Sequence, residues 1–419
     1  SALVTCRNEL ADGAAIETTK LAASVAHTYG RKFVGAESFT AGSGNGRWLV
    51  HPYGVKALGD LVFCNGINRY IFHRYAHQPW MDLEPGMPMG QWGTHLERTV
   101  TWWNEAAAWL KYVARCQYLL QEGTFVADAV YFYGEDAPND LPYHPLREKV
   151  PAGHDYDGCD VTVLMDRMSV RDGLVVLPDG MNYRVLLLPD SPFMTPEVAR
   201  RVRELVRDGA TVVGPKPRQS PSLSGYPACD EELRTIADEV WGGMDGKTVK
   251  EHALGKGRVI WGQSLQKVFA DLKSTPDFEF LGVAGNVKLA YIHRRTDNAD
   301  VYFVSNQQYR AIEAECVFRV SGYAPELWHP ETGKVESAPV YREDGGRTVV
   351  PLQLDPAESV FVVFAKREGA KHLVRATLQP ATGETTHSEP QVIVRKARYE
   401  ASDGRGADVT ARVAQMVLE

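Results

Sequence analysis

The sequence predicts a multidomain α/β plus β protein, with three folded parts following one another along 419 residues. Helices and strands alternate over residues 1–125, as in the last strands of a (β/α)8 barrel. A strand, a helix and a strand within residues 126–248 form a parallel βαβ unit, as in flavodoxin-like domains. Short alternating strands over residues 249–367 are typical of an antiparallel β-sandwich, and residues 368–419 are expected to begin a further β-module.

The first part is predicted to open with a helix and a strand. Apolar residues recur at helical spacing between Glu17 and His27, and Gly30 supplies a stop. The strand Lys32–Glu37 follows directly, so this pair is the second half of a β/α unit without its first strand. The far end, Val409–Glu419, stops inside an element. Both ends predict that the chain is part of a longer protein.

The rest of the first part continues the alternation. A helix is predicted around Gly54–Asp60, and a strand over Gly66–His73. An amphipathic helix follows from about Thr101 to Gln121, with Trp and Leu side chains on one face, and Gly123 ends it.

The second part has clear helix-end signals. Strands are predicted over Val126–Tyr133 and Tyr183–Leu188. Thr195 is a typical N-cap followed by Pro, Gly209 ends the helix, and the strand Thr211–Val213 comes next. No nucleophile follows this unit, which predicts a structural or oligomerising domain.

The third part is predicted to be all β, with the turn Asp344–Gly346 as a hairpin link. Its predicted strands are Arg258–Trp261, Val287–His293, Asp300–Asn306, Ala314–Val320, Thr348–Leu354 and Ser359–Ala365.

Composition excludes several partners. The net charge is −7 and the pI about 6.0, without a basic run, which argues against nucleic acid and against an anionic membrane surface. No apolar stretch approaches the ~18 residues of a membrane span, and residues 1–10 contain no signal peptide. The six cysteines form no CxxC pair, so neither cysteine-bound zinc nor a dense disulfide framework is expected.

Glu37 is the leading catalytic candidate. It ends a predicted strand and precedes a polar loop, Ser38–Arg47. In a β/α barrel, functional groups converge at this end of each strand. Burying a carboxylate there costs free energy unless it is paired with a cation or takes part in binding or catalysis. A salt-bridged structural glutamate is the alternative.

The next strand end is rich in polar side chains, among them Asn68, His73 and His77. The two histidines are four residues apart, but no HExxH motif surrounds them, and this disfavours a metal pair. Hydrogen bonding to sugar hydroxyls is the functional interpretation, and ordinary loop histidines are the alternative.

Further candidates lie in later loops. Trp92 and His95 are suited to stacking on a sugar ring and to hydrogen bonding, although Trp92 fits rim packing equally well. Glu97 and Glu135 are further carboxylates that can enter the site, and a helix cap or an arginine partner is the more common role for Glu135. The glycines of Gly42–Gly46 do not follow GxGxxG, so no nucleotide is expected.

Long blocks of the chain resemble the α-L-rhamnosidases of glycoside hydrolase family 106. They include LAASVAHTYGRKFVGAESFT, HPYGVKALGD with the following FCNGINRYIFHRYAHQP, PGMPMGQWGTHLERTVTWW, and FVADAVYFYGED. The resemblance continues through LVVLPDGMNYRVLLLPDSPFMTPEV and YIHRRTDNADVYFVSN, and it covers about residues 15–365.

The resemblance implies a (β/α)8 barrel with appended β-domains that removes terminal α-L-rhamnose from plant glycans with inversion. It also implies an exported bacterial enzyme and a calcium ion near the site. Glu37, in AESFT, matches the family's general base, whereas the general acid belongs to an earlier strand and is absent here. The missing barrel segment is therefore required for a complete site.

Two alternatives remain open at this stage. One is another glycosidase, such as a β-galactosidase-like enzyme, since a barrel followed by a flavodoxin-like domain and a sandwich is also its layout. The other is a non-catalytic carbohydrate-binding protein, which the incomplete barrel favours and the retained AESFT segment disfavours.

Overall fold

A computed structural model describes residues 2–3, 13–42, 46–83, 86–87, 90–135, 141–142, 146, 149–281, 287–365, 373–374, 398–400, 406–408 and 411. The chain forms two compact units, Ser1–Arg375 and Ala376–Glu419. No helix in the described part is long and apolar enough to span a membrane. The described helices are α1 Gly13–Thr28, α2 Pro52–Cys64, α3 Ala106–Leu120, α4 Pro196–Asp208, α5 Ala228–Trp241 and α6 Leu265–Asp271.

The strands make up several separate sheets. In chain order they are β1 Ala2–Leu3, β2 Gly35–Ser38, β3 Arg69–Phe72, β4 Thr124–Phe125, β5 Ala129–Phe132, β6 Tyr156–Cys159, β7 Ser169–Arg171, β8 Leu174–Val176, β9 Asn182–Tyr183, β10 Val185–Leu187, β11 Thr211–Val213, β12 Glu251–Leu254, β13 Gly257–Ile260, β14 Phe278–Leu281, β15 Leu289–Arg295, β16 Ala299–Asn306, β17 Ile312–Phe318, β18 Pro325–Trp328, β19 Val335–Ser337, β20 Arg342–Asp344, β21 Arg347–Leu354, β22 Ser359–Ala365, β23 Arg398–Glu400 and β24 Gly406–Asp408.

The first part is a parallel sheet in the order β1-β2-β3, with α1, α2 and α3 around it. The expectation that the first helix has no strand before it was wrong, since β1 precedes α1 and pairs parallel with β2. The helix predicted before Gly30 is confirmed as α1, and Gly30 has a φ of +66°. The strand predicted from Lys32 begins later, at Gly35. The amphipathic helix predicted from Thr101 is confirmed from Ala106, after a 3₁₀ turn over Trp103–Glu105.

The second part is a six-stranded sheet in the order β12-β13-β11-β10-β5-β6, parallel except for β12. Its parallel strands follow the flavodoxin-like order. The predicted βαβ unit is confirmed as β10-α4-β11, and Thr195 caps α4 by accepting a hydrogen bond from the Val198 backbone N–H (3.3 Å). Assigning Arg258–Trp261 to the antiparallel part was wrong, since β13 lies parallel to β11 in this sheet.

The third part contains two antiparallel sheets, β14-β17-β21-β20 and β19-β18-β22-β16-β15-β4. Phe318 and Val350 of the first sheet share one buried apolar cluster with Tyr302 and Phe364 of the second. The predicted hairpin is confirmed, because Gly345 and Gly346 take φ of +57° and +77° between β20 and β21, the left-handed backbone that tight hairpins require.

Two buried polar clusters tie these parts together. In the first, the carboxylate of Asp60 (α2) is fully buried and accepts hydrogen bonds from Lys56 Nζ (2.9 Å), the Tyr112 hydroxyl (α3) and Ser305 Oγ (β16, 3.1 Å). Lys56 also pairs with Glu331 at 3.0 Å. These contacts anchor the first part to the second antiparallel sheet.

The second cluster centres on His293 of β15, which is completely buried. Its Nδ1 lies 3.0 Å from Asp277 and its Nε2 lies 2.9 Å from Asp300. Arg319 then joins Asp277 (3.2 Å) to Asp128 (3.0 Å), just before β5. Burial acts to lower the pKa of His293, but the two carboxylates outweigh it and raise that pKa. The imidazole is therefore held in its charged form.

Little of the second unit is described. The strands β23 and β24 pair antiparallel within it. Most of the segment Val409–Glu419, which was predicted to stop inside an element, lies outside the described residues.

Candidate active site

Glu37 lies near the carboxyl end of β2, with its partly exposed side chain on the sheet face that the helices leave open. The neighbouring residues Ala36 and Ser38 point the other way and are buried, at 0% and 1% exposure. Across the sheet, Glu37 is in register with Ile71 of β3. Ile71 is 51% exposed although it lies within a strand, so this face is not covered by the described residues of the chain.

The turn after Glu37 positions its carboxylate. The Thr40 hydroxyl donates a hydrogen bond to Glu37 Oε1 at 2.7 Å. Between them, Phe39 takes a left-handed φ of +62° while its ring is buried against Tyr70 (5.1 Å between centroids) and Trp109 (5.6 Å). Such a backbone in a bulky residue persists where its surroundings fix it, and here the buried ring does so.

Three chain segments are joined at this strand end by backbone hydrogen bonds. The Gly93 N–H donates to Ala41 (2.8 Å), the His73 N–H donates to Ser38 (3.3 Å), and the Thr94 N–H donates to His73 (2.9 Å). The predicted candidates His73, His95 and Glu97 are therefore brought to the end of the strand that carries Glu37, although they lie far from it in sequence.

His95 is buried, with 1% exposure, and its ring is well fixed. It stacks on Trp48 with centroids 4.2 Å apart, and Nε2 lies 2.9 Å from the Gly90 carbonyl. Burial, which is the largest influence, and the nearby charge of Arg74 lower the pKa of His95, against the opposing effects of its hydrogen bond to the Gly90 carbonyl and of the charge of Glu97. The ring is therefore neutral near pH 7, and because its Nε2–H donates to the Gly90 carbonyl, Nδ1 is left to accept a hydrogen bond from a hydroxyl.

Glu97 and Arg74 are also buried here, at 2% and 7% exposure. One oxygen of Glu97 accepts a hydrogen bond from Thr99, and Oε2 has no partner among the described residues. The Arg74 guanidinium likewise has none; its burial lowers its pKa, partly offset by the charge of Glu97.

More than half of the buried side-chain polar atoms that lack a hydrogen-bond partner within the described part of the chain belong to this region. They are His73 Nδ1, His95 Nδ1, Glu97 Oε2, the Arg74 guanidinium nitrogens and the Gln78 amide. Buried polar groups in folded proteins nearly always have hydrogen-bond partners, so such a group of exceptions indicates a binding site.

Two predicted residues lie elsewhere. Asn68 is at the opposite end of β3, where its amide oxygen accepts from the Val34 N–H (2.8 Å) and its amide nitrogen donates to the Lys32 carbonyl (2.8 Å). Glu135 accepts hydrogen bonds from the backbone and hydroxyl of Thr195 at 2.8 and 2.7 Å, at the start of α4. Both are engaged in holding the backbone.

The remaining candidates lie at the surface. His77 is exposed, and Trp92 is 50% exposed on the loop before His95. Thr40 and Trp48 were not singled out from the sequence. Thr40 could have been, because a hydroxyl three residues after a candidate carboxylate is a local signal. The contact of Trp48 with His95 joins residues far apart in the chain and leaves no signal in the sequence.

The described residues do not fit a calcium site of carboxylates. No group of three or more His, Cys, Asp or Glu side chains lies within reach of one ion in the described part. The strand end supplies two carboxylates, Glu37 and Glu97, beside histidine nitrogens and a guanidinium, whereas Ca²⁺ prefers six to eight oxygen ligands.

Comparisons of the sequence with known proteins find glycoside hydrolases. A family model described as alpha-L-rhamnosidase, glycoside hydrolase family 106, matches residues 4–343. A Formosa agariphila protein is 38% identical over 410 residues, which cover 96% of this chain and 33% of the relative. That protein carries the provisional name β-glucuronidase. The chain therefore spans about a third of that relative's length.

Two solved structures resemble this chain, one a rhamnosidase and the other a β-galactosidase. The rhamnosidase from Novosphingobium sp. PP1Y matches with a TM-score of 0.81 and 36% identity, covering 90% of this chain and 36% of that one. The family 42 β-galactosidase Gan42B from G. stearothermophilus matches with a TM-score of 0.51 and 11% identity, over 84% and 57% of the two chains. The second likeness concerns the fold alone. By the match of residues 4–343 to the family model, the chain belongs to glycoside hydrolase family 106, the α-L-rhamnosidase family.

Proposed function

We propose that this chain supplies the general base of an inverting α-L-rhamnosidase that removes terminal α-L-rhamnose from plant glycans or glycosides. The observation that carries the proposal is the environment of Glu37. Its carboxylate lies at the carboxyl end of a parallel strand, held by Thr40, beside a group of buried polar atoms without partners among the described residues. Functional groups of barrel enzymes converge at this end of the strands.

The proposed chemistry uses Glu37 to activate water. Glu37 takes a proton from a water molecule as the water oxygen attacks the anomeric carbon, and the glycosidic bond breaks on the opposite face. Inversion requires a second carboxyl group ~6.5–9.5 Å away that protonates the leaving oxygen. We assign that acid to residues outside this chain.

The neighbouring side chains would hold the sugar. His95 can accept a hydrogen bond from a sugar hydroxyl at its unpartnered Nδ1, and His73 can donate or accept one at its own Nδ1. Arg74 can donate to a hydroxyl or a carboxylate, and the exposed Trp92 and His77 would lie at the rim. Asn68 and Glu135 are left out of this proposal because their polar groups are already used by the backbone.

We further propose that β1-β2-β3 is part of a (β/α)8 barrel completed by residues outside this chain. The half-exposed Ile71 on the face of Glu37 supports this, as does a solved relative of which the chain covers 36%. We propose that the flavodoxin-like and sandwich modules are appended to this barrel. We also propose that the whole protein is exported from a bacterial cell.

A β-glucuronidase is the second candidate. The name of the Formosa agariphila relative suggests it, and the buried Arg74 offers a cation for a uronate carboxylate. A β-galactosidase has the support of fold likeness only.

The test is turnover by this chain joined to its upstream sequence, measured on the 4-nitrophenyl α-L-rhamnoside, β-D-glucuronide and β-D-galactoside. The proposal expects nitrophenol release from the rhamnoside alone. Release from the glucuronide would establish the second candidate instead, and binding of rhamnosides without any release would identify a non-catalytic binding protein.

A further inference from the structure

A cleft of about 710 Å³ opens where the three parts of the first unit meet. Its walls come from the middle of α1, from the last turn of α2, from the approach to β6, and from strands β14 and β15. This volume falls within the ~300–1,000 Å³ of typical small-molecule sites.

The cleft lies away from Glu37. Asn65, which lines it, follows the last turn of α2 and precedes β3. Glu37 is near the carboxyl end of β2, which runs parallel to β3. The two residues are therefore at opposite ends of the same sheet, and a ligand in the cleft would not compete with one at the candidate active site.

An unused hydrogen-bond acceptor lines the cleft. Gln307 is 6% exposed, and its Nε2 donates to Ser305 Oγ at 2.9 Å. Its Oε1 has no partner among the described residues. A buried amide oxygen left without a donor is costly, so this atom calls for a ligand that brings a hydroxyl or an N–H group.

The charges of the cleft wall largely cancel. Lys20, only 3% exposed, pairs with Asp155 Oδ1 at 2.7 Å, and that oxygen also accepts from the Tyr156 N–H. Of the other charged lining residues, Glu279 pairs with Arg347, and Lys288 is exposed. The wall therefore favours a neutral ligand over an anion.

Aromatic rings complete the lining. Phe280 is 37% exposed, and Tyr291 is partly exposed and fixed by a hydrogen bond from its hydroxyl to the Gly153 carbonyl (3.0 Å). Aromatic faces beside polar acceptors suit a ring with both C–H faces and hydroxyl groups. We propose that the cleft is a second carbohydrate-binding site, which takes a neutral sugar unit of the glycan. The identity of that glycan rests on the proposed function.

The test is calorimetric titration of the 419-residue chain carrying Glu37→Gln, with methyl α-L-rhamnoside and, in parallel, methyl β-D-galactoside. The first variant is Gln307→Leu, which keeps the shape and removes the acceptor. Its matched control is Gln353→Leu, at a glutamine of β21 that pairs with Glu313 outside the cleft. Phe280→Ser, at an exposed ring, is a second cleft variant that leaves the core intact.

We expect at least one of the two glycosides to bind. Gln307→Leu should weaken that binding by about tenfold, the usual scale for one buried hydrogen bond. Phe280→Ser should weaken it as well, and Gln353→Leu should leave it unchanged.

Binding of neither sugar, or binding that both cleft variants leave unchanged, would overturn the second site. These results would not touch the proposed function, because that function is measured by turnover in the longer protein. If Gln307→Leu fails to fold, Phe280→Ser alone decides.

Discussion

The hydroxyl of Thr40 donates a 2.7 Å hydrogen bond to Glu37 Oε1, three residues before it. The bond occupies one carboxylate oxygen and fixes the rotation of the group, which leaves the other oxygen for water or sugar. The turn that makes it possible depends on the buried ring of Phe39, whose backbone is left-handed. The base is thus oriented by its own strand end.

Replacing Thr40 by Val should reduce kcat of the longer protein about tenfold on an aryl α-L-rhamnoside, since it removes the orienting donor without changing the shape. Thr40→Ser keeps the donor and should retain most of the activity. Steady-state kinetics of the pair decide the matter. A loss in Thr40→Ser with full activity in Thr40→Val would show that the methyl group, and not the hydroxyl, is what counts.

Asn68→Ala should destabilise the chain by about 1–3 kcal/mol, because it leaves the Val34 N–H and the Lys32 carbonyl without partners. In the longer protein it should leave KM unchanged. Urea denaturation and kinetics measure the two effects, with the exposed Asn298→Ala as control. A raised KM with unchanged stability would return Asn68 to the substrate site.

The His293 cluster predicts a pH optimum of stability. The pKa of His293 is raised above its usual 6.5, so its contribution is complete below about pH 6.5 and is lost as pH rises through the folded-state value. Burial acts to raise the pKa of Asp300, but His293 and Arg295 outweigh it and lower that pKa, so its contribution is lost as pH falls below about 3.8. The melting temperature should be highest between about pH 4 and 6.5.

Thermal unfolding from pH 3 to 9 checks this prediction, with His293→Gln as the test variant. The variant leaves Asp277 and Asp300 without their shared cation, so it should be less stable below pH 6.5 and lose the decline above it. An unchanged alkaline decline in the variant would assign that decline to other groups.

Tyr112→Phe should lower the free energy of unfolding by about 1–3 kcal/mol, because it removes a donor to the fully buried Asp60. Tyr118→Phe, on the same helix but 67% exposed, should change it by less than about 0.5 kcal/mol. Chemical denaturation of both variants makes the comparison. Similar small effects would show that Asp60 is satisfied by its other partners.

Local signals in the sequence were sufficient for much of the fold. Thr195 and Gly209 mark the two ends of α4, and the Gly345–Gly346 turn marks a hairpin, because caps and tight turns depend on the residues within them. Glu37 could be singled out for the same reason, as a carboxylate that closes a short strand.

The pairing of strands that are far apart in the chain could not be predicted from the sequence. The segment of β13 has the composition of any short strand, and only its contact with β11 places it in the parallel sheet. Asn68 carries a polar side chain among others near a strand, but its hydrogen bonds to residues 32 and 34 follow from strand pairing. The gathering of His95 and Glu97 beside Glu37 depends on backbone bonds between three distant segments.

The most direct test of the account is kcat of the longer protein on 4-nitrophenyl α-L-rhamnoside with Glu37→Gln, measured beside Glu97→Gln. Removing a general base costs about 10²–10⁴-fold, so Glu37→Gln should lower kcat by at least a hundredfold with the chain still folded. Glu97→Gln should retain far more activity, because its carboxylate is assigned no proton transfer. Full turnover by Glu37→Gln would contradict the account.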